Sequence, residues 1–116
     1  MCAGDINNRN FDRIDVQLRT VYHDEIDAEQ SDSLMSNLSM GGCFISTSRL
    51  LEIGATLRLK FRLDKQDVTV SATGVVRWVN EGGDPGMGVQ FKDITRRDLN
   101  LLKQFLEEKI ANSLFA

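Results

Sequence analysis

Apolar and polar positions alternate with a period of two through most of the chain, and the period lengthens only towards its C-terminal end. In RIDVQLRTVY, Ile14, Val16, Leu18 and Thr20 share one parity, and Asp15, Gln17 and Arg19 take the other. In TLRLKFRL, Leu57, Leu59, Phe61 and Leu63 alternate with Arg58, Lys60 and Arg62. Successive side chains of a strand point to opposite faces, so this period predicts strands with one dry and one wet face, as in an antiparallel sheet or barrel wall. DVTVSATGVVRWVN reads as a longer strand with Gly74 as a bulge or bend; EGGDPG then marks a turn, and MGVQF is the return strand of a hairpin. Beyond Thr95 the apolar residues Leu99, Leu102, Phe105, Leu106 and Ile110 recur every third or fourth position, which predicts an amphipathic helix over 95–116. Thr95 followed by Asp98 fits a capping box with Asp in the slot usually held by Glu. A run of about six short strands followed by one helix predicts a mainly β fold: a small antiparallel barrel over 14–94, with the helix packed against it.

Length and charge narrow the class. A chain of 116 residues, 41% apolar and 27% charged, is sized and composed for one soluble domain. No apolar run approaches the roughly 18 residues of a membrane span. The start of the chain, MCAGDINNRNFDR, is polar and has no signal-peptide core, so a cytoplasmic location is expected. Cys2 and Cys43 with a single histidine do not make a closed zinc site, and Cys43 sits in an apolar strand where a buried structural thiol is expected. The acidic stretch HDEIDAEQSDS lacks the tight ligand spacing and glycine turn of a calcium loop and reads as solvated. His23 stands beside Asp24 and Glu25 with no Ser or Cys placed to partner it, so no enzyme is expected and no metal or cofactor is assigned. The net charge of -3 and the low aromatic content argue against a nucleic-acid polymer as partner, which would need a basic groove with exposed rings.

Two polar constellations stand apart from this scaffold. RNFDR places Arg9 and Arg13 four residues apart, on one side of either an extended chain or a helical turn. Two guanidinium groups converging there suit a phosphate or the O6/N7 edge of guanine. NLSMGG places Asn37 and Ser39 two apart, on one side of a strand, followed by Gly41 and Gly42. An amide and a hydroxyl can bond a base edge or a phosphate, and glycine permits close approach to the backbone. Read singly, the arginines fit surface pairing to Asp12 and Asp15 better than a ligand, and the second motif fits an ordinary turn better.

Taken in order, Arg-x-x-x-Arg before the first strand and Asn-x-Ser-x-x-Gly before a later one resemble the PilZ domain family. ATGVVRWVN followed by GMGVQF is similar to that family's closing hairpin, and the helix fits as well, so the resemblance runs from about Arg9 into the helix. It implies a six-stranded antiparallel PilZ-type barrel and a bacterial receptor for the second messenger cyclic di-GMP. On this reading residues 1–13 form a flexible arm whose Arg9 and Arg13 grip guanine and phosphate. Asn37 and Ser39 read a guanine edge, Gly42 makes room for it, and Arg77 adds a contact from a later strand. Trp78, of opposite parity to Arg77, is expected in the core. Nucleotide binding would order the arm over the barrel and change the surface offered to an unidentified partner protein. The sequence departs from the fullest family pattern at Asn8, where many members carry a second arginine, and at Asn37, where they carry Asp. The alternative is a protein-interaction module of the same fold that does not bind the nucleotide.

Overall fold

The structure is a computed structural model and describes residues 13–25, 31–63 and 68–115, with side chains as far as Ala111. Arg9 and the remainder of the 1–13 arm up to Asp12 therefore lie outside the described residues, as do residues 26–30 of the acidic stretch.

Six strands and a helix follow one another, in the number expected: β1 (Ile14–Asp24), β2 (Ser31–Leu38), β3 (Gly42–Ser46), β4 (Thr56–Arg62), β5 (Thr69–Asn80), β6 (Gly86–Ile94) and α1 (Arg96–Phe115); β2 takes in the last three residues of the acidic stretch that was read as solvated. They close into a barrel in the order β1-β2-β3-β6-β5-β4, and the neighbouring strands pair antiparallel. Closure pairs every strand on both sides, so no edge is left to recruit another chain.

The alternation in β1 and β4 is obeyed residue by residue. Leu18, Thr20 and Tyr22 are buried beside Leu57, Leu59, Phe61 and Leu63, while Arg19, Arg58, Lys60 and Arg62 face solvent. Met35, Leu38, Cys43, Ile45, Val70, Val76, Met87 and Val89 complete the interior. Each large apolar side chain buried in this way contributes about 1.5–3 kcal/mol, which makes the interior the dominant stabilising term. Tyr22 is the polar exception that needs partners. Its hydroxyl donates to the Arg49 carbonyl at 2.6 Å and meets Thr47 Oγ1 at 2.9 Å, which ties the chain after β3 to the barrel interior.

The helix is anchored at its start. Thr95 Oγ1 accepts from the Asp98 backbone N–H at 3.2 Å, half of the capping box. The reciprocal half is replaced: buried Asp98 turns its carboxylate to the Ser71 N–H, 3.2 Å away, and so fastens α1 to β5. Leu102, Phe105 and Leu106 are buried against the barrel as the pattern predicts. Ile110 is not; it is 45% exposed, so the apolar stripe outlasts the barrel surface it packs on.

Two irregularities shape the pairing of β5 with β6. The register of β5 on β6 shifts between Thr73 and Gly74, but the extra residue is Lys92 of β6, so the bulge expected at Gly74 lies on the opposite strand; Gly74 stays small because an added Cβ would overlap Val89 Cγ1. A second shift falls between Val76 and Trp78: Val76 pairs with Val89, Trp78 with Gly88, and Arg77 is the extra residue. One inserted residue reverses the parity that follows it. Trp78 therefore faces out, 44% exposed, rather than entering the core, and Val79 takes the inward direction in its place.

Candidate functional site

The two motifs meet at one end of the barrel. Arg13 precedes β1, and β1 pairs with β2 so that Asp15 lies opposite Asn37. That register carries Arg13 to Asn37, and Arg13 Nη1 donates to Asn37 Oδ1 at 3.3 Å across 24 residues of sequence. The guanidinium stays exposed, as a group must that is to meet a ligand. Asn37 owes its outward direction to another irregularity, a shift between Met35 and Asn37 where β2 carries one more residue than β3.

Ser39 behaves differently from the expectation that it lies beside Asn37 on the wet face. It is 5% exposed and stands in the turn after β2. Its hydroxyl oxygen accepts from the N–H groups of Gly41 and Gly42, both at 3.2 Å, and lies 3.3 Å from the Gly42 carbonyl. With the Ser39 N–H donating to the same carbonyl at 2.8 Å, these bonds make a compact knot that turns β2 into β3. The motif's serine thus builds the shelf on which Asn37 and Arg13 stand.

Gly42 has a structural duty as well. It pairs with Gln90 of β6, and an added Cβ would overlap the Val89 carbonyl oxygen. Its missing side chain lets β3 approach β6 closely, a requirement of the barrel itself.

Beside this turn opens a cleft of about 430 Å³, bordered by Arg13, Ser39, Gly42, Arg77, Trp78 and Gln90. Arg77 stands on its far side, held by a hydrogen bond from Nε to Gln90 Oε1. Trp78 lies across Gly88, where a Cβ would overlap the indole, and stacks on Phe44 with ring centroids 5.1 Å apart and planes 26° from parallel. The cleft therefore combines two guanidinium groups, an amide and an aromatic face. Sequence reasoning missed Trp78 and Gln90. Gln90 has the outward parity of β6, a signal that was present; Trp78 became legible only with the register of β5.

Cys43, next to Gly42 on β3, is fully buried, its thiol pushed far above the usual range by loss of hydration, with Arg13 pulling the other way. Among the described residues no cluster of His, Cys, Asp and Glu is placed to hold a metal ion, and no helix is long and apolar enough to cross a membrane.

Comparison with known proteins gives a consistent picture. No curated protein matches the chain. Among solved structures, the Bacillus subtilis inhibitor of motility MotI/DgrA is similar with a TM-score of 0.79 at 23% identity, over 90% of this chain and 52% of the other. This chain thus spans about half the length of that protein. The PilZ domain of CeSA from a cellulose-synthesizing bacterium is similar at TM-score 0.61 and 14% identity, over 84% of this chain and 98% of that domain. The Borreliella burgdorferi PlzA protein, solved in complex with c-di-GMP, is similar at TM-score 0.58 and 15% identity, over 87% of this chain and 43% of PlzA. At such identities these likenesses establish the fold. The family model named PilZ domain matches residues 7–108, almost the whole chain, and on that match the chain belongs to the PilZ domain family.

Proposed function

We propose that this chain is a receptor for cyclic di-GMP, and that nucleotide binding orders the segment carrying Arg9 and Arg13 over the barrel and alters the surface a partner protein meets. The observation that carries the reading is the Arg13–Asn37 hydrogen bond, which joins the two motifs at the rim of a cleft that also holds Arg77 and Trp78. The ligand presents two guanines and two phosphodiesters. A guanidinium group matches either a phosphate or a guanine O6/N7 edge bidentately, and the Asn37 amide offers both a donor and an acceptor. Trp78 supplies a face for a base, since stacking needs only an exposed ring. Ser39, which borders the cleft, builds the turn that presents Asn37 and Arg13, and its contact with a guanine edge is part of this proposal. Ordering a segment on ligand contact is a general way to convert binding into a new surface.

The test is calorimetric titration of the chain with cyclic di-GMP, beside GTP and cyclic AMP. Saturable binding of the dinucleotide alone supports the receptor. No binding by a folded sample overturns it and leaves the interaction module that works without nucleotide, with Asn8 and Asn37 as the departures to revert first.

A further inference from the structure

One hydrogen bond at the cleft belongs to neither motif. Arg77 is the residue that β5 carries in excess of β6, and Gln90 of β6 pairs with Val75 on one side and with Gly42 on the other. Both side chains are exposed on the border of the cleft, and Arg77 Nε donates to Gln90 Oε1. On the β3 side Gln90 lies opposite a glycine, so no side chain from that pair competes for its carboxamide.

This bond decides which atoms are left for a ligand. Nε–H can only donate, so the carboxamide must turn its oxygen to Arg77 and its NH2 away. With Nε engaged, the guanidinium keeps Nη1 and Nη2, a pair of donors that meets an acceptor end-on. Among the described residues no ion pair neutralises Arg77, and Gln90 is its hydrogen-bond partner. Arg77 and Gln90 together thus offer the cleft nitrogen donors.

We propose that Gln90 is a positioning residue that holds Arg77 end-on, and that Arg77 so held distinguishes guanine from adenine in the bound dinucleotide. The inference rests on the cyclic di-GMP reading above and names the side chains that set its base selectivity. Guanine presents two acceptors, O6 and N7, on its major-groove edge, whereas adenine puts the N6 amino donor where O6 stands. A donor facing a donor leaves both unpaired, and a site built to bond one group rejects the analogue that cannot. A phosphate would also accept from Arg77, but the next residue is Trp78, 44% exposed. A base laid on that ring brings its own edge alongside, and a phosphate gains nothing from an aromatic neighbour.

Calorimetric titration of the full chain with cyclic di-GMP and with cyclic di-AMP reads the ratio of the two affinities. The wild type should prefer cyclic di-GMP. Arg77→Ala should lower that preference roughly five- to 150-fold, the discrimination of one bidentate base contact. Gln90→Met keeps the side-chain length and removes the acceptor; it should lower the preference roughly two- to tenfold, the worth of one hydrogen bond. Added to Arg77→Ala, Gln90→Met should change nothing, because Gln90 acts through Arg77. Both positions are exposed, so the variants should melt with the wild type. A wild type that binds both dinucleotides equally overturns the inference and leaves the receptor. Equal loss of both dinucleotides in Arg77→Ala overturns base selection and makes Arg77 a phosphate contact. A further loss when Gln90→Met joins Arg77→Ala overturns the positioning role. Binding of neither dinucleotide by the folded wild type overturns the receptor reading, and this inference with it.

Discussion

Replacing Gly42 with alanine separates two roles that one glycine can play. The motif alone reads Gly42 as space left for a ligand, but the barrel also needs that space. In Gly42→Ala the new methyl would overlap the Val89 carbonyl oxygen and come within 3.2 Å of the Gln90 Cα. Both obstacles are backbone, so no side chain can swing aside. Either β3 and β6 separate at the Gly42–Gln90 pair or the first residue of β3 peels away from the ladder. Forcing a methyl into packed surroundings costs about 1–3 kcal/mol, and a ladder hydrogen bond lost with it about 1 more. The lower entropy of an unfolded alanine returns about 0.4–1 kcal/mol. The net destabilisation is about 1–3.6 kcal/mol, or a melting temperature lower by roughly 4–14 °C for a domain of this size. Gly83→Ala is the control, because a Cβ there meets nothing within 4 Å. Differential scanning calorimetry of the three proteins, with cyclic di-GMP titrations alongside, reads both roles. If Gly42→Ala melts with the wild type yet loses the nucleotide, the close approach of β6 is not what holds that position to glycine.

Three further outcomes follow from the site and the core. Arg13→Ala removes one charged hydrogen-bonding partner, about 1.5–3 kcal/mol, and should weaken cyclic di-GMP binding roughly ten- to 150-fold in calorimetry; an unchanged affinity would refute the site. Trp78 is the chain's single tryptophan and borders the cleft, so nucleotide titration should change the intrinsic fluorescence, and Trp78→Ala should weaken binding by the roughly 1–3 kcal/mol of a base-stacking contact. The Cys43 thiol ionises far more readily unfolded than buried, so its contribution to stability is complete below the unfolded thiol's pKa and is lost as pH rises above it. Urea denaturation should therefore show a decline above about pH 8.5, at up to about 1.4 kcal/mol per pH unit, that Cys43→Ala lessens.

The scaffold was legible because burial enforces parity. Where Leu57 to Leu63 alternate with Arg58 to Arg62, a slip by one residue would bury three cations, so the pattern admits one arrangement. The helix was legible for the same reason as far as Leu106. Ile110 escaped because periodicity says which residues share a face and not how far the facing surface extends. Within the site, Arg13 and Asn37 were named from the family resemblance and not from spacing alone, and the structure brings them into contact. The direction of the Ser39 hydroxyl was not readable, since two residues from Asn37 places it on the same parity only while the strand continues, and β2 ends at Leu38. Trp78 was misplaced because a bulge is one uncounted residue, and nothing in VVRWV marks which of the five is extra. Arg9 lies outside the described residues, and its part in the site rests on the motif.

The bulge at Arg77 has a consequence for how much chemistry a narrow wall can display. A regular strand shows the solvent one side chain for every two residues, a spacing of about 6.5–7 Å. Here Arg77 and Trp78 are consecutive, with Cα atoms only about 3.8 Å apart, and both face outward. The strand thus offers a cation and a ring within the width of a single nucleobase, a density that unbroken pleating forbids. A small barrel has few residues to spare for recognition, and one inserted residue doubles what this stretch of wall can say.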